Sequence, residues 1–379
     1  MDHQGEVDLL TRVLDNIEQE TTDMTEPGIS PVARYLDPVQ YEREMSVLFR
    51  DYPLVVAFAS QLSEPGSFVT HDLTGVPILV NRDREGLLNA YLNTCRHRGT
   101  KLVCEESGSA RAFVCPYHGW TYGDDGRLDH ISHEEGFPHV DRKASGLIRL
   151  PVRQRAGLIW VVPNPGSSLD IDAYLGPMAD ELEAFGLSDH VLFSPHRDRR
   201  TANWKLILDA NLENYHVKIA HRDTIAFMFE DNVGAFDRFA PHSRLLFPKR
   251  SIRQLKGTDR ASWKLREHAN VIYFIFPNTI ILVEPDHAMV ASIFPDGIAG
   301  FKVQGGMLIP EEPANDKARS HWGKNYGIFW NALEEDFQMV ERVQKGIAGG
   351  LVPHLHFARF EQCANWFHEE VGQAVKSAL

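Results

Sequence analysis

Four cysteines in a chain of 379 residues are too few for a disulfide framework, and a chain of this length can bury a core without one. Long hydrophobic runs are missing as well. The most apolar stretch, 271–283, is too short to span a bilayer and is interrupted by Pro277 and Asn278. Basic charge is in deficit: 39 Lys and Arg against 52 Asp and Glu give a net charge of −13, which argues against nucleic acid and against an anionic membrane surface as partners. The opening MDHQGEVDLL is acidic and lacks the basic-then-apolar order of a secretory signal. No convincing G-x-G-x-x-G unit follows a strand-like run, so the chain is not expected to bind NADH or flavin itself. These absences describe a cytoplasmic protein with reduced thiols. Its hydrophobic fraction of 43% and charged fraction of 24% are those of an ordinary globular protein, and its length allows two domains.

What is present is concentrated between Asn93 and Leu128. Cys95-Arg96-His97 and Cys115-Pro116-Tyr117-His118 are separated by seventeen residues, a C-x-H-x17-C-x2-H pattern. Each short pair carries one thiol and one imidazole. That set suits a [2Fe-2S] centre in which two histidines replace two cysteines on one iron. A tetrahedral Cys2His2 zinc site uses the same four ligands and is the alternative, although zinc knuckles usually pair Cys with Cys and His with His. The run CRHRG, the run CPYHGW and the closing Gly126-x-Leu128 resemble the Rieske motif of the aromatic-ring-hydroxylating oxygenases, alpha (terminal oxygenase) subunit family. With Cys95 and Cys115 assigned to a cluster, Cys104 and Cys363 remain as reduced structural thiols.

Hydrophobic spacing organises the rest. Val7, Leu10, Val13, Leu14 and Ile17 predict an amphipathic helix, followed by an irregular segment through Pro27 and Pro31. Its simplest role is packing on the main body or on a neighbouring subunit. Short β-rich runs at 54–58, 76–80, 88–92, 112–114 and 158–162, divided by turn residues, predict a small antiparallel β domain. The sequence 163–168, Pro-Asn-Pro-Gly-Ser-Ser, marks a boundary. Beyond it come a helical segment to His190, a strand-rich run at 265–308, a solvated loop at 311–317, helical spacing at 326–348 and a helical tail from Phe360. The expected architecture is α+β. Residues 1–45 form a helical segment, 46–163 a small antiparallel Rieske [2Fe-2S] domain, and 164–379 a catalytic domain whose antiparallel sheet is covered by helices in a helix-grip arrangement.

A second constellation lies at 201–221. His216 and His221 are five residues apart, about 140° around a regular helix, so a helix must loosen or end between them if both face one ion. Asn203-Trp204-Lys205-Leu206 with Tyr215-His216 is similar to the iron-ligand segment of the same oxygenases. The resemblance implies a mononuclear Fe(II) held by two histidines and one carboxylate, a face that leaves positions open for dioxygen. Its third ligand would be Asp336, with Glu335 as the alternative, on a helix similar to the family's late helix. The resemblance also makes Glu213 the acidic residue joining the iron histidine to a cluster histidine of the neighbouring subunit. Most relatives have Asp there, and the Glu form is similar to carnitine-type monooxygenases. Asp209 stands where many relatives have Asn, and its role is left open, with a place near the iron as one option.

The resemblance therefore implies a terminal oxygenase component of a ring-shaped, trimeric assembly. Electrons from NAD(P)H would come through a separate reductase, with or without a ferredoxin. Arg96, Arg98, Lys101 and Arg111 around the cluster either hydrogen-bond within their domain or form a docking patch for that donor. The main functional expectation is mono- or dihydroxylation of an aromatic small molecule. The alternative is oxidative N- or O-demethylation or cleavage, for example of a quaternary ammonium compound. A simple electron carrier or zinc protein would need neither the second constellation nor the residues that carry it. Phe227, Phe229, Phe236, Tyr273, Phe274 and Phe276 are candidates either for the substrate pocket or for the core.

Overall fold

The computed structural model describes residues 1–377 and divides into two compact units, Phe49–Gly176 and a second made of Met1–Leu48 with Pro177–Leu379. The smaller unit runs on past the expected boundary at Pro163. Asn164 Nδ2 donates to Asp51 Oδ1 at 2.6 Å and its own Oδ1 accepts from Gly166 N, so the Pro-Asn-Pro-Gly turn is tied back into the unit. The chain breaks later, at Gly176 and Pro177, where Gly176 has φ 50° within the Ile171–Glu183 helix.

The smaller unit is three antiparallel sheets. Leu54–Phe58 pairs with Leu158–Val161, which pairs with Val152–Arg155; Ser67–His71, Ile78–Arg82 and Leu88–Leu92 make a second sheet with Ser107–Ser109; Ala112–Val114, Thr121–Gly123 and Leu128–His130 make the third. Four of the five expected strands sit where the β-rich runs place them. The remaining one, expected at 76–80, is displaced to Ile78–Arg82 because Thr74 and Val76 close a side-chain turn before it.

In the larger unit seven strands lie side by side. Their order is Val191–Arg200, Phe301–Ile309, Ala288–Pro295, Thr279–Val283, Ala269–Ile275, His242–Pro248 and Ala235–Phe239, all antiparallel. Three of these, at 191–200 and 235–248, were not legible as strands. The helix His3–Glu18 begins on an Asp2 cap and lies on this unit: Arg12 Nη1 reaches Asp237 at 2.8 Å, and Glu6 accepts from Leu265 N. The segment expected to be irregular is ordered. Gly28–Pro31 pairs with His354–Phe357, and helices follow at Ala33–Leu36 and Pro38–Val47.

Two helices carry the site. Trp204–Asn211 starts at Asn203, whose Oδ1 accepts from Lys205 N, and Asn203 N donates to the buried Gln344 Oε1 at 2.8 Å. Gln344 belongs to the helix Asp316–Ile347, which starts ten residues before the helical spacing is evident because Asn315 caps Ala318 N. Its buried positions Leu333, Asp336, Val340, Gln344 and Ile347 recur every three or four residues, with Phe337 beside Asp336 on the same stripe. A carboxylate therefore sits on the buried stripe. The charged pair at the base of this layer, Lys205 Nζ and Glu44 Oε2 at 2.6 Å, is fully buried, with Trp204 Nε1 donating to the same oxygen. Among the described residues no helix is long and apolar enough to cross a membrane.

Candidate metal centres

The two loops of the smaller unit are built alike. Cys95 N donates to Thr100 O and Gly99 N to Cys95 O; Cys115 N donates to Trp120 O and Gly119 N to Cys115 O. Gly99 and Gly119 close the turns at φ 75° and 72°, a region costly for any side chain. Asn93 clamps the first loop at its base, exchanging bonds with Val103 N and O. The loops bring like to like. Cys95 and Cys115 are both buried and within hydrogen-bonding reach, while the His97 and His118 rings lie 4.6 Å apart. Trp120 stacks on His97 at 5.0 Å and Phe137 meets both edge-on. His97 Nδ1 and His118 Nδ1 are buried and find no protein partner. Buried ring nitrogens in pairs are what metal ligation requires. Burial, followed by the charges of His118 and Arg98, holds His97 below its ordinary range and so in the neutral, ligating form. Burial raises the Cys95 thiol, and the Tyr122 hydroxyl and His97 amide, both donating to it, favour the thiolate.

A single zinc ion needs all four ligand atoms around one point. Pairing thiol with thiol and imidazole with imidazole is the arrangement of a two-iron core, with one iron on each pair. The basic residues nearby are partly occupied. Lys101 is paired with Asp72, Arg98 lies over the Tyr117 ring, and Arg96 donates to Gly146 O. Arg111 is exposed.

In the larger unit the helix ends at Asn211, and a single turn, Val217–Ala220, separates the two histidines. His216 precedes that turn and His221 follows it, and their Nε2 atoms come to 3.2 Å. Asp336 Oδ1 lies 3.1 Å from His221 Nε2 and 3.5 Å from His216 Nε2. Both Nδ1 atoms are held by carboxylates, which accept: Glu213 Oε1 at 2.5 Å from His216 and Glu335 Oε2 at 2.6 Å from His221. Each imidazole thus carries its proton on Nδ1 and presents Nε2 to the gap, the arrangement that orients metal-binding histidines. Glu335 is accordingly placed behind His221, also accepting from Thr224 Oγ1 at 2.8 Å, and not among the three converging atoms. Burial opposes a charged His216, but the charge and hydrogen bond of Glu213, with Asp336, outweigh it and raise the imidazole to about 9. His221 is raised for similar reasons by Asp336 and Glu335, against burial.

Asp209 lies beside this site, lining a hollow together with Glu213, His216 and Asp336. Its carboxylate accepts from Tyr35 Oη at 2.6 Å and lies 2.8 Å from His368 Nε2, closing a buried triad with the His368–Tyr35 contact at 3.0 Å. Neither Tyr35 nor His368 carried any local signal; only the fold brings them from both ends of the chain.

A cavity opens against the converging atoms. Its walls include Val217, Ile225, Phe229, Phe329 and Leu333, with Glu213, His216, His221 and Asp336 at one end. Its floor is one face of three strands. Asn270 and Ile272, two apart on one strand, share a side; Phe247 is the cross-strand neighbour of Asn270, and Leu282 that of Ile272. Of the six aromatic candidates only Phe229 lines it. Phe236, Tyr273, Phe274 and Phe276 are core residues, and Phe227 is largely exposed. Phe247 and Phe329 had no distinguishing sequence context.

Comparison with known proteins gives the family. The model of the ring hydroxylating alpha subunit (catalytic domain) matches residues 183–377, and that of the Rieske [2Fe-2S] domain matches 52–141. The chain is 29% identical over 331 residues to the carnitine monooxygenase oxygenase subunit of Escherichia coli (strain K12), covering 84% of this chain and 83% of that protein. It is 29% identical over 325 residues to the chloroplastic choline monooxygenase of Spinacia oleracea, covering 84% and 71%. A quaternary ammonium Rieske monooxygenase crystallised with L-carnitine superposes with a TM-score of 0.79 at 21% identity, over 97% of this chain and 98% of that one. The chain belongs to the ring-hydroxylating alpha subunit family and is a Rieske non-haem iron oxygenase, with a [2Fe-2S] cluster and a mononuclear iron as its cofactors.

Proposed function

We propose that the protein is the terminal oxygenase component of a multicomponent system that hydroxylates a quaternary ammonium compound at a carbon next to nitrogen. In balance, a C–H bond, dioxygen, two electrons and two protons give C–OH and water. The electrons come from NAD(P)H through a separate reductase, with or without a ferredoxin. When bound, the cluster supplies electrons singly and the mononuclear iron activates dioxygen. The names of the relatives favour this reading over hydroxylation of an aromatic ring, the first expectation.

The observation that carries it is the cavity. Among the described residues no lysine or arginine lines it, and three phenylalanine rings, Phe229, Phe247 and Phe329, face the same space. Ring faces attract a cation whose methyl groups also match apolar walls. In this reading Cys95 and Cys115 hold one iron of the cluster, and His97 and His118 the other. His216, His221 and Asp336 hold the mononuclear iron, Glu335 fixes His221, and the apolar walls exclude water. Glu213 fixes His216 and makes the contact toward a cluster histidine of a neighbouring copy in a ring-shaped oligomer, expected to be a homotrimer.

The test is metal and product analysis of one preparation. About three irons and two sulfides per chain are expected. After chemical reduction and exposure to dioxygen, trimethylammonium substrates should yield an aldehyde together with a free amine, the two fragments released when the hydroxylated carbon parts from nitrogen. Formation of a hydroxylated aromatic ring with no product from ammonium compounds would refute the reading.

A further inference from the structure

We infer that the cavity selects a substrate without a carboxylate, one that donates an O–H or N–H hydrogen bond to the amide oxygens of Asn214 and Asn270. Resting on the oxygenase reading for what the cavity does, this narrows which molecules enter it. Two observations support it.

The first concerns charge. Among the described residues no lysine or arginine lines the cavity. Arg253 pairs with Glu230 from an exposed position, at 2.6 and 2.9 Å, and so neutralises a lining carboxylate. The two histidines are committed through Nδ1 to Glu213 and Glu335. A substrate carboxylate taken into this space loses its hydration and meets no guanidinium or ammonium group, a cost that excludes it. The one remaining positive charge would be the metal's own, and a carboxylate bound there would take the positions that dioxygen requires.

The second concerns hydrogen bonding. Asn214 and Asn270 line the cavity, and the Oδ1 atom of each is buried with no protein donor. The orientation of Asn214 is set, since its Nδ2 donates to Val233 O at 2.7 Å and Oδ1 is therefore the free atom. Asn270 is more telling. Its neighbours on that sheet face are Phe247 and Ile272, so an amide interrupts an otherwise apolar floor. A site built to accept a hydrogen bond rejects the analogue that cannot donate one. The ligand thus combines a cationic or neutral apolar body with a hydroxyl or N–H.

The experiment is calorimetric titration of the iron-loaded full chain under anaerobic conditions with six probes. They are choline, its O-methyl ether, glycine betaine, L-carnitine, benzyl alcohol and benzyl methyl ether. Choline should bind about tenfold more tightly than its ether, glycine betaine or L-carnitine. Asn270→Leu should bring choline and its ether to near parity while the ether binds as before. Betaine or carnitine binding as tightly as choline would overturn the inference and leave the quaternary ammonium reading standing. Parity of choline with its ether in the wild type would overturn it too. If no ammonium compound binds but benzyl alcohol is preferred to its ether, the inference holds and the quaternary ammonium reading fails. Binding of none of the six would overturn both.

Discussion

Removing the Glu335 carboxylate is the sharpest test of the division of labour around the mononuclear site. Glu335 Oε2 lies 2.6 Å from His221 Nδ1, and the His221 ring is almost fully buried. Glu335→Ala leaves that ring N–H in a dry position without its acceptor and frees the ring to turn. A hydrogen bond to a charged group contributes about 1.5–3 kcal/mol. Partners of this kind behind metal histidines change metal affinity by about 10- to 100-fold, or roughly 1.4–2.7 kcal/mol. Anaerobic Fe(II) titration against a competing chelator should therefore show a loss in that range. Glu335→Gln, which keeps an acceptor at the same reach, should lose much less. Asp336→Ala removes one of the three converging atoms and should bind too weakly to compete. The visible absorption of the cluster reports intact fold in all three variants and should not change. Iron affinity for Glu335→Ala within about twofold of wild type would refute the positioning role. A loss as complete as that of Asp336→Ala would make Glu335 a ligand.

Other outcomes follow from the same geometry. Because Glu213 raises His216 to about 9, iron must displace a proton from His216 below that pH. Apparent Fe(II) affinity should climb about tenfold per pH unit and level off near 9, and Glu213→Gln should move that plateau to lower pH. The same Glu213→Gln variant should retain both metal centres yet lose nearly all coupled turnover; product formation at the wild-type rate would remove Glu213 from the electron path. Cys115→Ser should abolish the cluster's visible absorption while Fe(II) titration of the mononuclear site is preserved, and retention of the spectrum would exclude Cys115 as a ligand. Glu44→Ala strands the Lys205 ammonium in the core, where desolvation already lowers its pKa, and should destabilise the protein by about 3–5 kcal/mol in denaturant unfolding.

The cluster loops were legible because ligand chemistry and turn chemistry are both local. A thiol, an imidazole and a glycine within five residues specify a closed turn wherever the chain places it, as at Cys95–Gly99 and Cys115–Gly119. The same holds for strands such as 54–58 and 88–92, whose apolar runs are bounded by their own turn residues. It fails for 191–200, where Arg and Asp alternate on a strand at the end of the sheet and no apolar pattern announces it. The spacing of His216 and His221 required a broken helix, and the single turn between them supplies it.

The resemblance put Asp336 ahead of the adjacent Glu335 as the third carboxylate, but the adjacent pair alone gives no physical reason for the choice. The packing of the Asp316–Ile347 helix supplies one, burying 336 with Leu333 and Val340 and leaving 335 to reach His221 from the side. Asp209 shows the same limit, since its partners Tyr35 and His368 come from opposite ends of the chain. The cavity is tertiary throughout: its floor is cross-strand register, which sets Asn270 beside Phe247, and its charge is the sum of side chains from distant segments. Residue types at short spacing carried the resemblance that implied a [2Fe-2S] cluster and a mononuclear iron, and they left the substrate class open. Tertiary structure alone decided how the ligands are held and what can bind beside them, because both depend on distances between residues far apart in the chain.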